Sequence, residues 1–234
     1  MDEPPTSLLR RPLLGKDQVD RVPWDSRVMV RLGDQADRGE APNVGDPFTR
    51  SLDRLEAQPI RDDELTALAV RFSYVLPDPL LLSVLRGLAP LVEIGAGTGY
   101  WAHRLRQMKT DIIAIDQSPP GGLCTNRYHP DAPSWTTVVE GDQTMLAAHS
   151  DRTLFVCWPP LFSSLGDCLT FYAGDAVAWL GDTGVRTAQP AGLSEQFRQV
   201  AVYPARALEP SRNDPATLRI WCRRGHRAPR SPTE

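Results

Sequence analysis

Glu93, Gly95, Gly97 and Gly99 occupy alternate positions in LVEIGAGTGY, residues 91–100, the spacing of a turn that presents bare main chain to a nucleotide-type ligand. Three residues without a Cβ let the backbone turn sharply and approach the ligand, with only Ala96 and Thr98 between them. A side chain at Gly97 is therefore expected to obstruct that ligand. Asp116 and Gln117 end a second apolar run, DIIAIDQ, where a carboxylate can accept hydrogen bonds from ribose hydroxyls. Asp142 and Gln143 follow a third run, WTTVVEGD. A fourth, TLFVCWPP, ends in Cys157, Trp158, Pro159 and Pro160. Cysteine is a poor acceptor, but carbonyls ahead of two prolines can hold a donor. An indole at Trp158 can stack on a planar substrate or face a cation, worth about 1–2 kcal/mol when dry, or can pack in the core beneath a following helix. His129, in NRYH, can take a proton from an attacking nucleophile near neutral pH, or be an ordinary loop histidine.

The elements that must position these side chains alternate along the chain. Strands are expected at Leu91 to Ile94, Asp111 to Gln117, Trp135 to Asp142, Thr153 to Pro160, Ala176 to Leu180, Val200 to Tyr203 and Leu218 to Cys222. Helical patterns at Tyr100 to Lys109, Leu161 to Tyr172 and Leu193 to Gln199 separate them, with Trp101, Leu105 and Met108 marking the first. This alternation predicts an α/β, doubly wound sheet with helices on both faces. Upstream, Asp62 to Phe72 carries acids in its first turn and Pro79 to Gly87 opens on proline, both favourable helix starts. Ser73 and Tyr74 lie in the loop between them, near the expected cofactor entrance. Gly181 and Asp182, with Thr183 and Gly184, place a further loop at the sheet edge that carries the glycines, either a lid or a simple turn.

The Glu-x-Gly-x-Gly-x-Gly pattern, with Tyr100 where a dinucleotide fold wants a small residue, resembles motif I of the Rossmann-like (class I) S-adenosylmethionine-dependent methyltransferases. From about residue 70 to 224 the chain is similar to uncharacterised methyltransferase-like proteins. In those, an aromatic-containing loop and a proline-started helix precede GAGTGYWA, and Cys-Trp-Pro-Pro follows later. The resemblance implies a Rossmann-like seven-stranded sheet in the order 3-2-1-4-5-7-6, closed by an antiparallel hairpin, and S-adenosyl-L-methionine as cofactor. It implies that Glu93, Gly95, Ala96, Gly97 and Gly99 run beside the methionyl part, which carries no pyrophosphate. Asp116 and Gln117 then serve the ribose, Asp142 the adenine amine with Gln143 alongside, and Cys157 and Tyr74 complete the cofactor set. Trp158, His129 and Cys157 are the catalytic candidates.

Family members that methylate amines of nucleic acids or glutamine amides carry Asn or Asp before Pro-Pro and an aromatic after it. Here Cys157 and Trp158 precede the prolines and Leu161 follows. The implied activity is methyl transfer to a small or planar acceptor, as in natural-product tailoring. The alternatives are an amino-methyltransferase acting on nucleic acid or protein, and a non-catalytic binding module in which Cys157 and Trp158 fill the acceptor site. A nucleotide-dependent oxidoreductase is a third, opposed by Tyr100.

Composition bounds the rest. With 234 residues and 41% hydrophobic content, one domain over residues 61–225 suffices, after an irregular Pro- and Gly-rich extension over 1–60 with one short helix at Ser51 to Glu56. Residues 226–234 read as a tail, and Arg223, Arg224, His226, Arg227 and Arg230 as a solvated cluster. A net charge of −3 does not fit a phosphate-tracking protein, so nucleic acid is not the expected partner. Cys124, Cys157, Cys168 and Cys222 lack metal-ligand spacing and read as free thiols of a reducing compartment. With no leader and no apolar run of about eighteen residues, a cytoplasmic protein without a membrane partner or a metal is expected.

Overall fold

The computed structural model describes residues 62–122, 124–160, 163–182, 187, 189–208 and 216–225. The expected extension over 1–60 with its helix at Ser51 to Glu56, the loop residues Thr183 and Gly184, and the tail over 226–234 lie outside these residues. The elements are α1 (Asp62–Arg71), α2 (Pro79–Gly87), β1 (Leu91–Ile94), α3 (Tyr100–Gln107), β2 (Ile112–Asp116), β3 (Val139–Glu140), β4 (Thr153–Cys157), β5 (Ala176–Gly181), α4 (Leu193–Gln196), β6 (Phe197–Ala205) and β7 (Ala216–Arg223). They form a seven-stranded sheet in the order β3-β2-β1-β4-β5-β7-β6, the order expected. The first five strands are parallel, and β7 runs antiparallel to both β5 and β6.

Side chains alternate across the sheet and build a core on each face. Leu91 of β1, Phe155 of β4 and Ala178 and Leu180 of β5 pack under Leu81, Leu82 and Leu85 of α2 and Trp101 and Leu105 of α3. Val92 and Ile94, Leu154 and Val156, and Val177 and Trp179 face the other way, against Leu146, Leu169, Leu193 and Phe197. Asp78 caps α2 by accepting the Leu81 amide at 2.9 Å, and Pro79 sits in its first turn.

Three expected elements are shorter, for reasons in their residues. Trp135 does not enter a strand: its amide bonds the Thr98 carbonyl at 2.9 Å, its indole N–H bonds the Arg71 carbonyl at 2.9 Å, and its ring stacks on Phe72 at 4.9 Å. Only Val139 and Glu140 pair with β2. The helix expected from Leu161 to Tyr172 is a 3-10 helix over Ser164–Thr170, since Ser163, Ser164 and Gly166 are weak helix formers. The helix expected to reach Gln199 stops at Gln196, because Phe197 is wholly buried and pairs in register with Arg223. Arg223 itself is not part of a solvated cluster: it packs over the Phe197 ring at 4.4 Å and donates to the carbonyls of Gly174 and Tyr172.

In a doubly wound sheet the ligand crevice opens at the carboxyl ends of the strands where the winding reverses, here between β1 and β4. Gly95 follows one of these strands and Trp158 the other. No helix among the described residues is long and apolar enough to cross a membrane.

Candidate functional site

A cavity of about 390 Å³ occupies this crevice. The turn after β1 forms its floor, the ends of β2 and β3 one side, and the end of β4 the other. Glu93, Gly95, Ala96, Gly97, Asp116, Gln117, Asp142, Gln143, Cys157, Trp158, His129 and Tyr74 all line it, so the structure brings nearly the whole expected set together. Gly99 does not line the cavity. It starts α3 at φ +73°, and a Cβ there would meet Val138 Cγ2 at 2.6 Å, so its smallness serves packing against the chain entering β3.

Gly97 adopts φ +54°, a region that L side chains rarely occupy. A Cβ there would lie 2.5 Å from His129 Nε2, so the expected obstruction falls first on His129, whose ring covers the glycine face. Three amides of the turn are engaged within the protein. Ala96 N–H donates to the Ile115 carbonyl at 3.0 Å, Gly99 N–H to the Ala96 carbonyl at 2.8 Å, and Gly97 N–H to Asp116 Oδ2 at 2.7 Å. Three donors that a dinucleotide fold would turn toward a pyrophosphate are thus already engaged.

Among the described residues, three acids and a single Arg line the cavity. Asp116 Oδ1 accepts the Ser118 amide at 2.9 Å and Asn126 Nδ2 at 3.4 Å, which fixes the carboxylate at the strand end. Asp142 Oδ1 accepts both the amide and the hydroxyl of Thr144, bonds that hold its carboxyl below the usual range. Glu93 is wholly buried, and desolvation, reinforced by the negative charge of Asp116, pushes its pKa up to about 8. The positive charge of Arg106, and after it the backbone amide of Ala102 in the first turn of α3, partly offset the effect, while Oε2 has no partner.

His129 Nδ1 lies 2.6 Å from the Val70 carbonyl, an acceptor that fixes the proton on that nitrogen and leaves Nε2 as a bare lone pair over Gly97. Burial lowers its pKa, so the ring is neutral at neutral pH. Asn126, which composition and spacing did not single out, organises this loop. Its Oδ1 accepts the amides of Tyr128 and His129 at 3.0 and 3.1 Å, while its Nδ2 donates to the Ser118 carbonyl at 2.8 Å and reaches Asp116. The Asx arrangement of Asn-Arg-Tyr-His is the sequence signal that marks it.

At the end of β4 the Cys157 thiol lies beside Ser73, Trp101 and Glu93, and burial pushes its pKa well above the ordinary thiol value. Ser73 Oγ is itself fixed by the Trp101 indole N–H at 3.0 Å and the Val75 amide at 3.3 Å. Trp158 turns to φ +53° and is 8% exposed; it belongs to the core and lines the cavity at once. The strand ends there because Pro159 and Pro160 offer no N–H to a neighbouring strand.

Three lining side chains carry buried polar atoms without any partner: Glu93 Oε2, Gln143 Oε1 and Ser163 Oγ. Such atoms cost about 1–3 kcal/mol each unless a ligand completes them. S-adenosyl-L-methionine suits this donor set: it carries a cationic end for an acid-lined floor, an amine for a Gln oxygen, ribose hydroxyls for Asp116, and no phosphates for the engaged amides. Ser163 was not foreseen, since one serine after Pro-Pro has no sequence signature. Among the described residues no group of three or more His, Cys, Asp or Glu could hold a metal ion.

No protein-family model and no curated protein matches the chain. Solved structures align with it distantly. A mutant of MtNAS aligns at TM-score 0.41 and 13% identity, over 75% of this chain and 69% of that one. MtNAS in complex with MTA and tNA aligns at 0.36 and 14% identity, over 86% and 97%. The trans-methyltransferase CalH in complex with SAH aligns at 0.36 and 13% identity, over 85% and 74%. At these distances the likeness assigns no activity, and function is read from the site.

Proposed function

We propose that the protein is an S-adenosyl-L-methionine-dependent methyltransferase acting on a small or planar acceptor, of the kind met in natural-product tailoring. The observation that carries this reading is the crevice at the winding reversal, lined among the described residues by three carboxyl side chains and floored by a glycine turn three of whose amides are already engaged within the protein. A pyrophosphate would meet repulsion there and find few donors, whereas a cationic adenosyl compound meets complementary charge. Asp116 serves the ribose, Asp142 and Gln143 the adenine, and Glu93 the cationic end. The cofactor, when bound, supplies an electrophilic methyl group on a positively charged sulfur.

This chain's own residues then align and desolvate the acceptor. Trp158 provides an apolar wall. His129, neutral and with Nε2 bare, takes the proton of an attacking hydroxyl or amine. Cys157 is a protonated thiol beside Glu93, so the oxygen that orients an amine in the nucleic-acid amino-methyltransferases has no counterpart at this position, which disfavours that acceptor class. Calorimetric titration of S-adenosylhomocysteine and NAD⁺ in parallel, followed by incubation with S-adenosylmethionine and an acceptor panel, tests the reading. Tight binding of the former and release of S-adenosylhomocysteine with methylated product are expected. Binding of NAD⁺ in preference, or binding without turnover of any acceptor, overturns the enzymatic reading.

A further inference from the structure

Arg127 and Tyr128 line the cavity beside the residues given to the cofactor above and are not among them. Among the described residues Arg127 is the single Arg or Lys that lines the cavity, and it forms no ion pair with any of them, although three of their acids line the same space. Its guanidinium instead lies over the Tyr128 ring, 5.3 Å from the centroid. Tyr128 is 39% exposed, one of two large hydrophobic side chains so exposed among the described residues. An exposed aromatic ring and a guanidinium without an ion-pair partner thus stand side by side at the cavity wall.

The backbone beneath the pair is fixed. The Tyr128 amide donates to Asn126 Oδ1 at 3.0 Å, and the Tyr128 carbonyl accepts the Tyr74 hydroxyl at 2.9 Å. A guanidinium over a ring face keeps its N–H edge free, and that edge suits a carboxylate taken through two parallel N–H···O bonds. Among the described lining residues the fork is the one cationic group, so a negative group of a ligand is drawn to it.

We infer that the acceptor is a planar aromatic carboxylic acid, its carboxylate held by Arg127 and its ring against Tyr128, which leaves its nucleophilic end to face His129. The role of the bound acid as methyl acceptor rests on the proposed activity; the binding site itself is independent of turnover.

The test is calorimetry with 4-hydroxybenzoate, its neutral analogue 4-hydroxybenzamide, and the non-planar cyclohexanecarboxylate, on the whole chain with and without S-adenosylhomocysteine. Arg127→Gln, Arg127→Lys and Tyr128→Ala are measured alongside; all three alter exposed side chains and leave the core untouched. The benzoate is expected to bind at least tenfold tighter than the amide and the cyclohexane acid. Arg127→Gln should remove the preference over the amide, Arg127→Lys should retain part of it, and Tyr128→Ala should remove the preference over the cyclohexane acid. Affinity for S-adenosylhomocysteine should stay within about twofold in all three. Equal binding of benzoate and amide to the wild type overturns the inference. So does a tenfold loss of S-adenosylhomocysteine in Arg127→Gln, which would assign the guanidinium to the cofactor's own carboxylate. Failure of S-adenosylhomocysteine to bind the wild type strikes the proposed activity instead, and the benzoate-to-amide ratio on the free protein still decides the acid-binding site.

Discussion

Asp116 Oδ2 accepts the amide of Gly97 at 2.7 Å, so the carboxylate that ends β2 and the glycine that turns the chain after β1 form one unit. The same carboxylate takes the Ser118 amide and Asn126 Nδ2. Asp116→Ala leaves two amides unsatisfied at the cavity edge. A loss of about 2–4 kcal/mol in denaturant unfolding is expected, together with at least a tenfold weaker S-adenosylhomocysteine affinity. Asp116→Asn keeps one carbonyl-type oxygen and should fall between. Unaltered stability in Asp116→Ala would contradict the coupling of loop and strand.

Gly97 and His129 form a second pair that should behave as one. Gly97→Ala meets two penalties, about 1–2 kcal/mol for a left-handed alanine and the displacement of the imidazole whose Nε2 lies 2.5 Å from the new Cβ. Moving the ring breaks its Nδ1 contact with the Val70 carbonyl. His129→Ala in the same chain removes the clash but not the strained φ. A double-mutant cycle should therefore return a coupling of at least about 1 kcal/mol, and strict additivity would show that the ring does not lie on this glycine.

Much of this was legible in the sequence. Strand positions followed from alternating apolar runs, strand order from the resemblance carried by the glycine turn and the motifs after it, and the cavity lining from the glycine turn and the acids placed at strand ends. What was not legible has a common physical cause: local propensity lost to long-range partners. Trp135 reads as a strand start but is taken by the Thr98 and Arg71 carbonyls and the Phe72 ring. Phe197 reads as helical but is wholly buried on the strand side. Asn126 and Ser163 acquire meaning only through what surrounds them, the first by bridging Asp116 to the His129 amide and the second by a buried hydroxyl without a partner.

The thiols should differ sharply in reactivity. Burial raises the Cys168 pKa to about 12 and that of Cys157 well above the ordinary thiol value, whereas Cys124 is exposed. Thiolate is the reactive form, so at pH 8 a thiol-disulfide reagent should label Cys124 within seconds to minutes and spare Cys157 and Cys168 until denaturant is added. Peptide mapping of the labelled sites checks this. Rapid native labelling of Cys157 would remove it from the closed environment of Ser73, Trp101 and Glu93.

Glu93 gives the fold a pH dependence of defined sign. Its pKa is about 8 folded against 4.5 for the ordinary side chain, so below pH 4.5 both states keep the proton and the folded state carries its full contribution. As pH rises from 4.5 toward 8 the unfolded state releases the proton first, and stability falls by up to about 1.4 kcal/mol per pH unit. His129 acts in the opposite sense, since its lowered pKa removes stability as pH drops below 6.5. The difference between wild type and Glu93→Gln isolates the carboxyl: the variant should be less stable or equal near pH 5 and more stable by over about 1 kcal/mol at pH 8. A cationic ligand favours the ionised acid, so binding of S-adenosylmethionine near pH 7 should release a proton and tighten as pH approaches 8. Calorimetry in two buffers of different ionisation enthalpy measures that proton in wild type, and Glu93→Gln should lose both the release and at least tenfold in affinity. Equal heats in the two buffers with wild-type protein would place the cationic end of the ligand away from Glu93.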